Sequence, residues 1–192
     1  RSSARSTSLN TAPCPGMKAA VPAVPADGKG LLKAAIRDDN PVCFMESEVM
    51  YSLKGEVPTG EHVIPLGVAD VKREGSDITL VALSSMVQTA LRAASMLEEI
   101  GVSAEVVDPR TTWPLDEKTL VDSVKKTSRC IVMDEGYGRY GVTGEIASVI
   151  QEQAFYDLDG PESRLGALHE PIPVSPPLEA VPRPRRSARR GR

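Results

Sequence analysis

From about residue 78 onward, apolar positions alternate between short unbroken runs and helical stripes. Ile78 to Leu83 is apolar at nearly every position, the pattern of a strand covered on both faces. Val87, Ala90, Leu91, Ala94 and Leu97 follow at three-and-four spacing, which predicts a helix. Ser85 with Gln88 three positions later predicts a capping box at its start, and Gly101 predicts its end. Val102 to Val107 reads as the next strand, and a second helix begins near Asp116 with Leu120, Val121 and Val124 on one face. Arg129 to Met133 predicts a third strand, Val142 to Gln153 a third helix, and Leu165 to Leu168 a fourth, shorter strand. Strands alternating with helices across short loops predict a parallel, three-layer α/β domain with right-handed crossovers.

Upstream the pattern is sparser. Gly30 to Arg37 carries Leu31, Leu32, Ala35 and Ile36 and reads as the end of a helix. Pro41 stops it by excluding helical geometry at Asn40. Val42 to Met45 predicts a short buried strand. Residues 46–74 mix Gly, Pro and scattered charge and read as a connector, with an extended piece at Ala69 to Val71. The polar stretch Asp108-Pro-Arg-Thr-Thr-Trp-Pro-Leu-Asp116 joins the carboxyl end of one strand to a helix. That edge of an open parallel sheet is where ligands and partners usually bind.

Composition narrows the classes. Aromatics make up only 4% of the chain, so the core must be aliphatic. Cys14, Cys43 and Cys130 are odd in number and widely spaced, which fits neither a disulfide framework nor a zinc site and points to a reducing compartment. Two histidines, His62 and His169, are too few and too far apart for a histidine-built metal site or triad. No apolar run approaches the ~20 residues that span a bilayer. The net charge of −3 hides Arg183, Arg185, Arg186, Arg189, Arg190 and Arg192 at the end. The body that precedes them is therefore more acidic still and should repel nucleic acid. Residues 171–192 read as a disordered Pro/Arg-rich tail, with phosphate-backbone binding or a nuclear address as the alternative.

Four groupings could carry chemistry. Gly136-Tyr-Gly-Arg-Tyr-Gly141 matches a dinucleotide-binding pattern, but it follows the third strand instead of the first and has Asp134 and Glu135 just before it. A tight turn with close helix packing explains those glycines better. Asp38, Asp39 and Asn40 follow a helix end whose last carbonyls lack internal partners; they suit either a cation held by oxygen ligands or an ordinary solvated end. Asp108, Arg110 and Asp116 could form a binding cluster, although Asp116 is a natural helix cap and Arg110 can pair with either acid. Glu46, Glu48 and Glu56 are separated charges on a connector and make no acid–base pair. Nothing in the chain has the setting of an activated nucleophile.

Gly75-Ser-Asp-Ile-Thr-Leu-Val-Ala-Leu83, Asp108 to Asp116 and Val132-Met-Asp-Glu-Gly-Tyr137 together resemble the carboxyl-terminal domain of transketolase-like thiamine enzymes. Pro15-Gly-Met-Lys18, Gly30-Leu-Leu-Lys-Ala-Ala-Ile-Arg-Asp-Asp-Asn-Pro-Val42, Tyr51-Ser-Leu-Lys-Gly-Glu-Val-Pro58 and Asp134 to Ser148 narrow the resemblance. They are similar to the beta subunit of the first component of 2-oxo-acid dehydrogenase complexes, nearest the acetoin and pyruvate branches. The likeness runs from about Ser6 to Glu179. It implies a remnant of a pyrimidine-binding domain over 1–45, a linker over 46–74 and a transketolase carboxyl-terminal-like domain over 75–170.

The resemblance further implies an enzyme subunit using thiamine diphosphate with Mg2+. It would partner an alpha subunit, a second beta subunit and an acyltransferase core, without nucleic acid or membrane. The glutamate that activates the cofactor would lie upstream of these residues, so no catalytic or cofactor-binding residue is expected here, and the chain alone should be inactive. Arg5 stands where the family has an active-site histidine. The family's structural potassium would match Ala35, Ile36, Asp38 and Asn40. The Pro/Arg tail replaces a final helix that aids docking to the core, so this chain should have altered ends. The compartment would be the cytoplasm in a bacterium, or the mitochondrial matrix or plastid in a eukaryote. A non-catalytic interaction domain, or part of a transketolase or deoxyxylulose-phosphate synthase, is the alternative.

Overall fold

The computed structural model describes residues 14–167 and 169. Arg5, Leu168 and the tail over 171–192 lie outside them. Two sheets organise the chain. The larger is built from β3 (Asp70–Arg73), β4 (Ile78–Ala82), β5 (Ala104–Asp108), β7 (Cys130–Tyr137) and β8 (Ser163–Ala167), in the order β3-β5-β4-β7-β8. The smaller has β1 (Lys18–Ala20), β2 (Val42–Phe44) and β6 (Thr111–Trp113), in the order β2-β1-β6. The helices are α1 (Pro25–Ile36), α2 (Ser85–Glu98), α3 (Glu117–Thr127) and α4 (Val142–Ala154).

The expected strand–helix alternation is present. β4 pairs in parallel with β5 and β7, and β7 with β8. The all-parallel expectation fails at one edge, where β3 runs antiparallel to β5. β3 realises the extended piece expected inside the connector. It can run antiparallel because it enters the sheet from outside the strand–helix alternation, without a covering crossover helix.

Each central strand divides its side chains between two cores. Leu80 and Ala82 of β4, Val106 of β5 and Met133 of β7 meet Met86, Val87, Ala90 and Ala94 of α2. Val81, Leu83, Val107 and Val132 face the other way, onto Leu120, Val121 and Val124 of α3 and Val142, Ile146 and Ile150 of α4. This two-sided burial is why β4 reads as a continuous apolar run. Its one polar interior residue, Thr79, shares hydrogen bonds of 2.7 Å with Ser123 Oγ and Thr127 Oγ1 on α3, so burying it leaves no unmet hydroxyl.

The expected capping box does not form. The N-cap of α2 is Ser84, at φ 50°, with no side-chain cap. Ser85 Oγ donates instead to Glu135 at 2.8 Å, and Gln88 Nε2 reaches the Ala23 carbonyl at 3.4 Å. Both side chains are drawn to neighbouring elements, and tertiary contact overrides the local pairing. At α3 the local expectation holds: Asp116 accepts from the Thr119 backbone N–H at 3.1 Å.

Candidate functional site

The stretch Asp108 to Asp116 is where the two sheets meet. Its middle, expected as part of a polar connection, is strand β6, which pairs antiparallel with β1. The Val21 backbone N–H donates to the Arg110 carbonyl at 2.8 Å, and Thr111 Oγ1 accepts from Gly67 N–H at 3.1 Å while donating to the Pro114 carbonyl at 2.7 Å. Asp116 Oδ2 accepts from the Ala69 N–H at 3.0 Å and from Thr119 Oγ1 at 2.8 Å. The segment therefore ties β1, the 67–69 turn and α3 to one another.

Burial alone would raise the Asp116 carboxyl, but the donors on Ala69 and Thr119 hold it below the usual range. With its folded value depressed, its contribution is present above the unfolded value of about 3.9 and is lost as pH falls through the folded one. Asp116→Ala removes a cap and leaves the Ala69 N–H without a partner, so urea unfolding at pH 7 should show a loss of about 2 kcal/mol. A loss under ~0.5 kcal/mol would mean that water substitutes for the carboxylate.

Below this strap lies a buried charge cluster. Asp27 comes from α1, Asp70 and Lys72 from β3, Asp108 from the end of β5, and Arg110 from the turn that follows. Arg110 does not pair through its side chain with Asp108 or Asp116, as the sequence suggested; its guanidinium reaches Asp27 at 2.7 Å and Asp70 at 2.8 Å. Lys72 Nζ lies 2.7 Å from both Asp27 and Asp70, and 3.7 Å from Asp108. Asp27 and Asp108 are 1% and 0% exposed, so the charges are screened little by water.

Burial would lower the Lys72 ammonium, but hydrogen bonds to Asp27 and Asp70 hold it above its ordinary value. Asp108 accepts the Arg110 backbone N–H through Oδ1 at 2.9 Å, while Oδ2 has no hydrogen-bond partner among the described residues. Its burial pushes the carboxyl up to about 7, against the pull of Lys72. The cluster was illegible as a unit because its members come from three chain segments far apart in sequence.

The carboxyl ends of β1 and β2 and the first turn of α1 frame a cavity of about 220 Å³. Pro22, Val24, Pro25, Met50 and Leu53 give it an apolar lining, with Glu46 and Tyr51 at the rim. The Tyr51 hydroxyl donates to Glu46 at 3.0 Å. Glu46 is thus paired with a phenol and not with a second acid.

At the expected cation position, Lys18 Nζ sits 2.6 Å from Asp38 Oδ2, and Oδ1 accepts from the Asn40 backbone N–H and side-chain amide at 2.9 and 3.1 Å. Lys18 first, then Asn40, hold the Asp38 carboxyl down at about 2. The Ala35 carbonyl accepts from the closing helix turn, and the Ile36 side chain is exposed. The glycine-rich turn behaves as a packing device. Gly136 is still inside β7, and a Cβ on Gly141 would collide with the Tyr137 carbonyl oxygen. Ahead of it, burial pushes Asp134 up to about 6. Ser84 occupies a strained position at the end of the central strand, and no hydrogen bond joins its hydroxyl to a base among the described residues.

The family described as the transketolase C-terminal domain matches residues 67–185. The beta subunit of acetoin:2,6-dichlorophenolindophenol oxidoreductase from Bacillus subtilis is 49% identical over 165 residues, covering 86% of this chain and 48% of that protein. The beta subunit of 2-oxoisovalerate dehydrogenase from the same organism is 44% identical, covering 86% and 51%. The mitochondrial pyruvate dehydrogenase E1 beta subunit of Dictyostelium discoideum is 41% identical, covering 86% and 48%. Among solved structures, a split-gene transketolase in an inactive beta4 tetramer superposes with a TM-score of 0.72 at 30% identity, covering 83% of this chain and 51% of that one. The chain spans about half the length of the curated relatives it matches. A mixed sheet between α2 and the α3–α4 pair, the Asp108–Asp116 strap and these matches converge: the chain belongs to the transketolase C-terminal domain family, among sequences similar to beta subunits of acetoin and 2-oxo-acid dehydrogenase components.

Proposed function

We propose that this chain serves in the beta subunit of a thiamine-diphosphate-dependent 2-oxo-acid or acetoin dehydrogenase component. The reaction class is oxidative decarboxylation with acyl transfer to lipoyl groups, and the chain's share is assembly surface, not acid–base chemistry. The likeness to the B. subtilis acetoin subunit across most of this chain carries the reading. Its partners are then an alpha subunit, a second beta subunit and an acyltransferase core. The inactive beta4 assembly of the split-gene transketolase supports self-association without turnover.

The cavity beside α1 does not suit thiamine diphosphate. It is smaller than the ~300–1,000 Å³ of most cofactor pockets, and no Lys or Arg lines it to meet a diphosphate. The buried acid Asp27 is committed to Lys72 and Arg110, and Asp108 is enclosed behind them at 0% exposure. No step of the reaction is therefore assigned to these residues.

Potassium is a further proposal, through Ala35, Ile36, Asp38 and Asn40. Both carboxylate oxygens of Asp38 already accept hydrogen bonds, so the fit is through backbone carbonyls at the end of α1, with Asp38 supplying nearby negative charge.

The test is an assay of the purified chain with thiamine diphosphate, Mg2+ and pyruvate, a branched 2-oxo acid or acetoin. No turnover is expected from the chain alone, and co-elution with the alpha subunit of a relative is. Turnover without a partner would overturn the assembly role, and failure to associate would overturn the subunit reading. In the same preparation, potassium should raise the melting temperature above that in sodium, and Asp38→Ala should erase the difference. Equal melting in the two salts removes the site.

A further inference from the structure

The charge cluster between the two sheets holds one more acid than it can balance. Asp27, Asp70 and Asp108 face Lys72 and Arg110. The surplus falls on Asp108, the least exposed of the three. One of its oxygens has a backbone donor. The other has none among the described residues and stands 3.7 Å from the Lys72 ammonium, beyond hydrogen-bond reach. That ammonium already lies against Asp27 and Asp70. The remaining neighbours bring no compensating charge: β4 has no charged residue, and α2 opens with Ser85, Met86, Val87 and Gln88. Glu105, the other acid of β5, is paired with Lys126 of α3 on the opposite face.

The junction closed by this cluster is specific. Asp27 is in the first turn of α1, and α1 belongs to the small sheet's layer, whereas β3 and β5 belong to the large sheet. The pairs Asp27–Lys72 and Asp27–Arg110 therefore cross from one layer to the other. The same turn of α1 lines the 220 Å³ cavity.

We propose that Asp108 is a proton-operated latch between the two layers: protonated, it leaves two cations balancing two carboxylates and the junction shut; ionised, it adds an unpaired buried charge and lets α1 lift from β3. The driving force is the cost of burying a charge without a full set of partners. In the open state Asp108 and the flanking groups regain water. Opening thus releases a proton, and the open population rises with pH until the closed state is ionised as well.

The sign is opposite to that of the acids whose pairing with cations dominates. Asp38 and Glu61, held below their ordinary values, cost stability only in acid. Asp108, held above its ordinary value by burial, contributes most below its unfolded pKa and loses that contribution as pH rises to about 7. Above that there is no further loss. The latch is independent of which dehydrogenase the chain serves.

Hydrogen exchange on the full chain, corrected for intrinsic rates, tests it between pH 5 and 8. Protection in α1 and β3 should fall by up to about tenfold per pH unit below the midpoint, the slope of one released proton, and then level off. Asp108→Asn, an isostere of the protonated acid, should abolish the slope and keep protection high at pH 8. Asp134→Asn, which removes the other raised carboxyl on β7, should leave the α1 and β3 slope in place.

Three outcomes would overturn the latch. One is an Asp108→Asn slope equal to wild type. The second is a fall in protection shared equally by β4 and β7, which would be global unfolding. Should Asp108→Asn fail to fold, the carboxyl carbon of Asp108 in the wild-type chain gives the third: a titration midpoint near 4, where an ordinary aspartate sits, instead of near neutrality.

Discussion

Arg110→Met will destabilise the chain by about 3–5 kcal/mol, the cost of removing one partner from a buried ion pair. The guanidinium bridges Asp27 and Asp70 through a planar fork, with Nη2 at 2.7 and 2.8 Å from them and Nε at 3.0 Å from Asp27. Most of the loss will come from Asp27, which is 1% exposed and would face a single remaining cation. Asp70 is about a third exposed, so water screens its share and its pairing adds little. Methionine fills most of the volume, which separates lost charge from a lost packing volume. Arg110→Lys should fall between the two, because an ammonium keeps the charge and loses the fork. Adding Asp27→Asn to Arg110→Met should recover part of the loss by removing the stranded charge. Urea unfolding at pH 7 measures all three; a loss below ~1 kcal/mol for Arg110→Met would show that the cluster is hydrated and behaves like a surface pair.

The large sheet was legible because its cause is local. Ile78 to Leu83 reads as a buried strand, since alternate side chains meet helices on opposite faces, and Leu120, Val121 and Val124 share the inward side of one helix. Asp116 was legible as a cap for the same reason: the N–H it accepts is three residues away. The features that failed depend on partners far along the chain. Thr111-Thr-Trp113 becomes a strand only because Ala19 and Ala20, some ninety residues earlier, offer it an edge. Ser85 and Gln88 have the right spacing for a capping box, yet Glu135 and Ala23 take their hydrogen bonds. Likewise Arg110 stands two residues from Asp108, but its side chain reaches Asp27 across 83 residues. Charge pairing at such separation leaves no periodic trace. The Asp108–Asp116 segment was correctly placed at the strand ends, and its role is to fasten the small sheet to the large one.

With Asp108 protonated, that fastening makes the two layers a single cooperative unit, and Leu31→Ala at pH 5 is the sharpest probe of it. Leu31 is fully buried on α1 and belongs to neither of the two cores of the large sheet. If the small layer were held only by its own contacts, deleting this side chain would melt that layer early and leave the large sheet untouched. The structure argues otherwise. β1 is paired to β6, Val21 to Arg110, Gln88 to Ala23, and Asp27 to Lys72 and Arg110. Opening the small layer would expose those buried charges and break an antiparallel pair at once. The cavity left by Leu31→Ala should therefore lower the stability of the whole chain by about 2–5 kcal/mol, within one transition. Two signals can follow it together. Trp113, the single tryptophan, sits on β6 at the junction, and far-UV circular dichroism is dominated by α2, α3 and α4 of the large domain. In wild type and variant alike, the fluorescence and dichroism midpoints in urea should coincide. A fluorescence transition that moves to lower urea while the dichroism midpoint stays fixed would show that the small layer unfolds by itself, and that the strap and the charge cluster do not couple the two sheets.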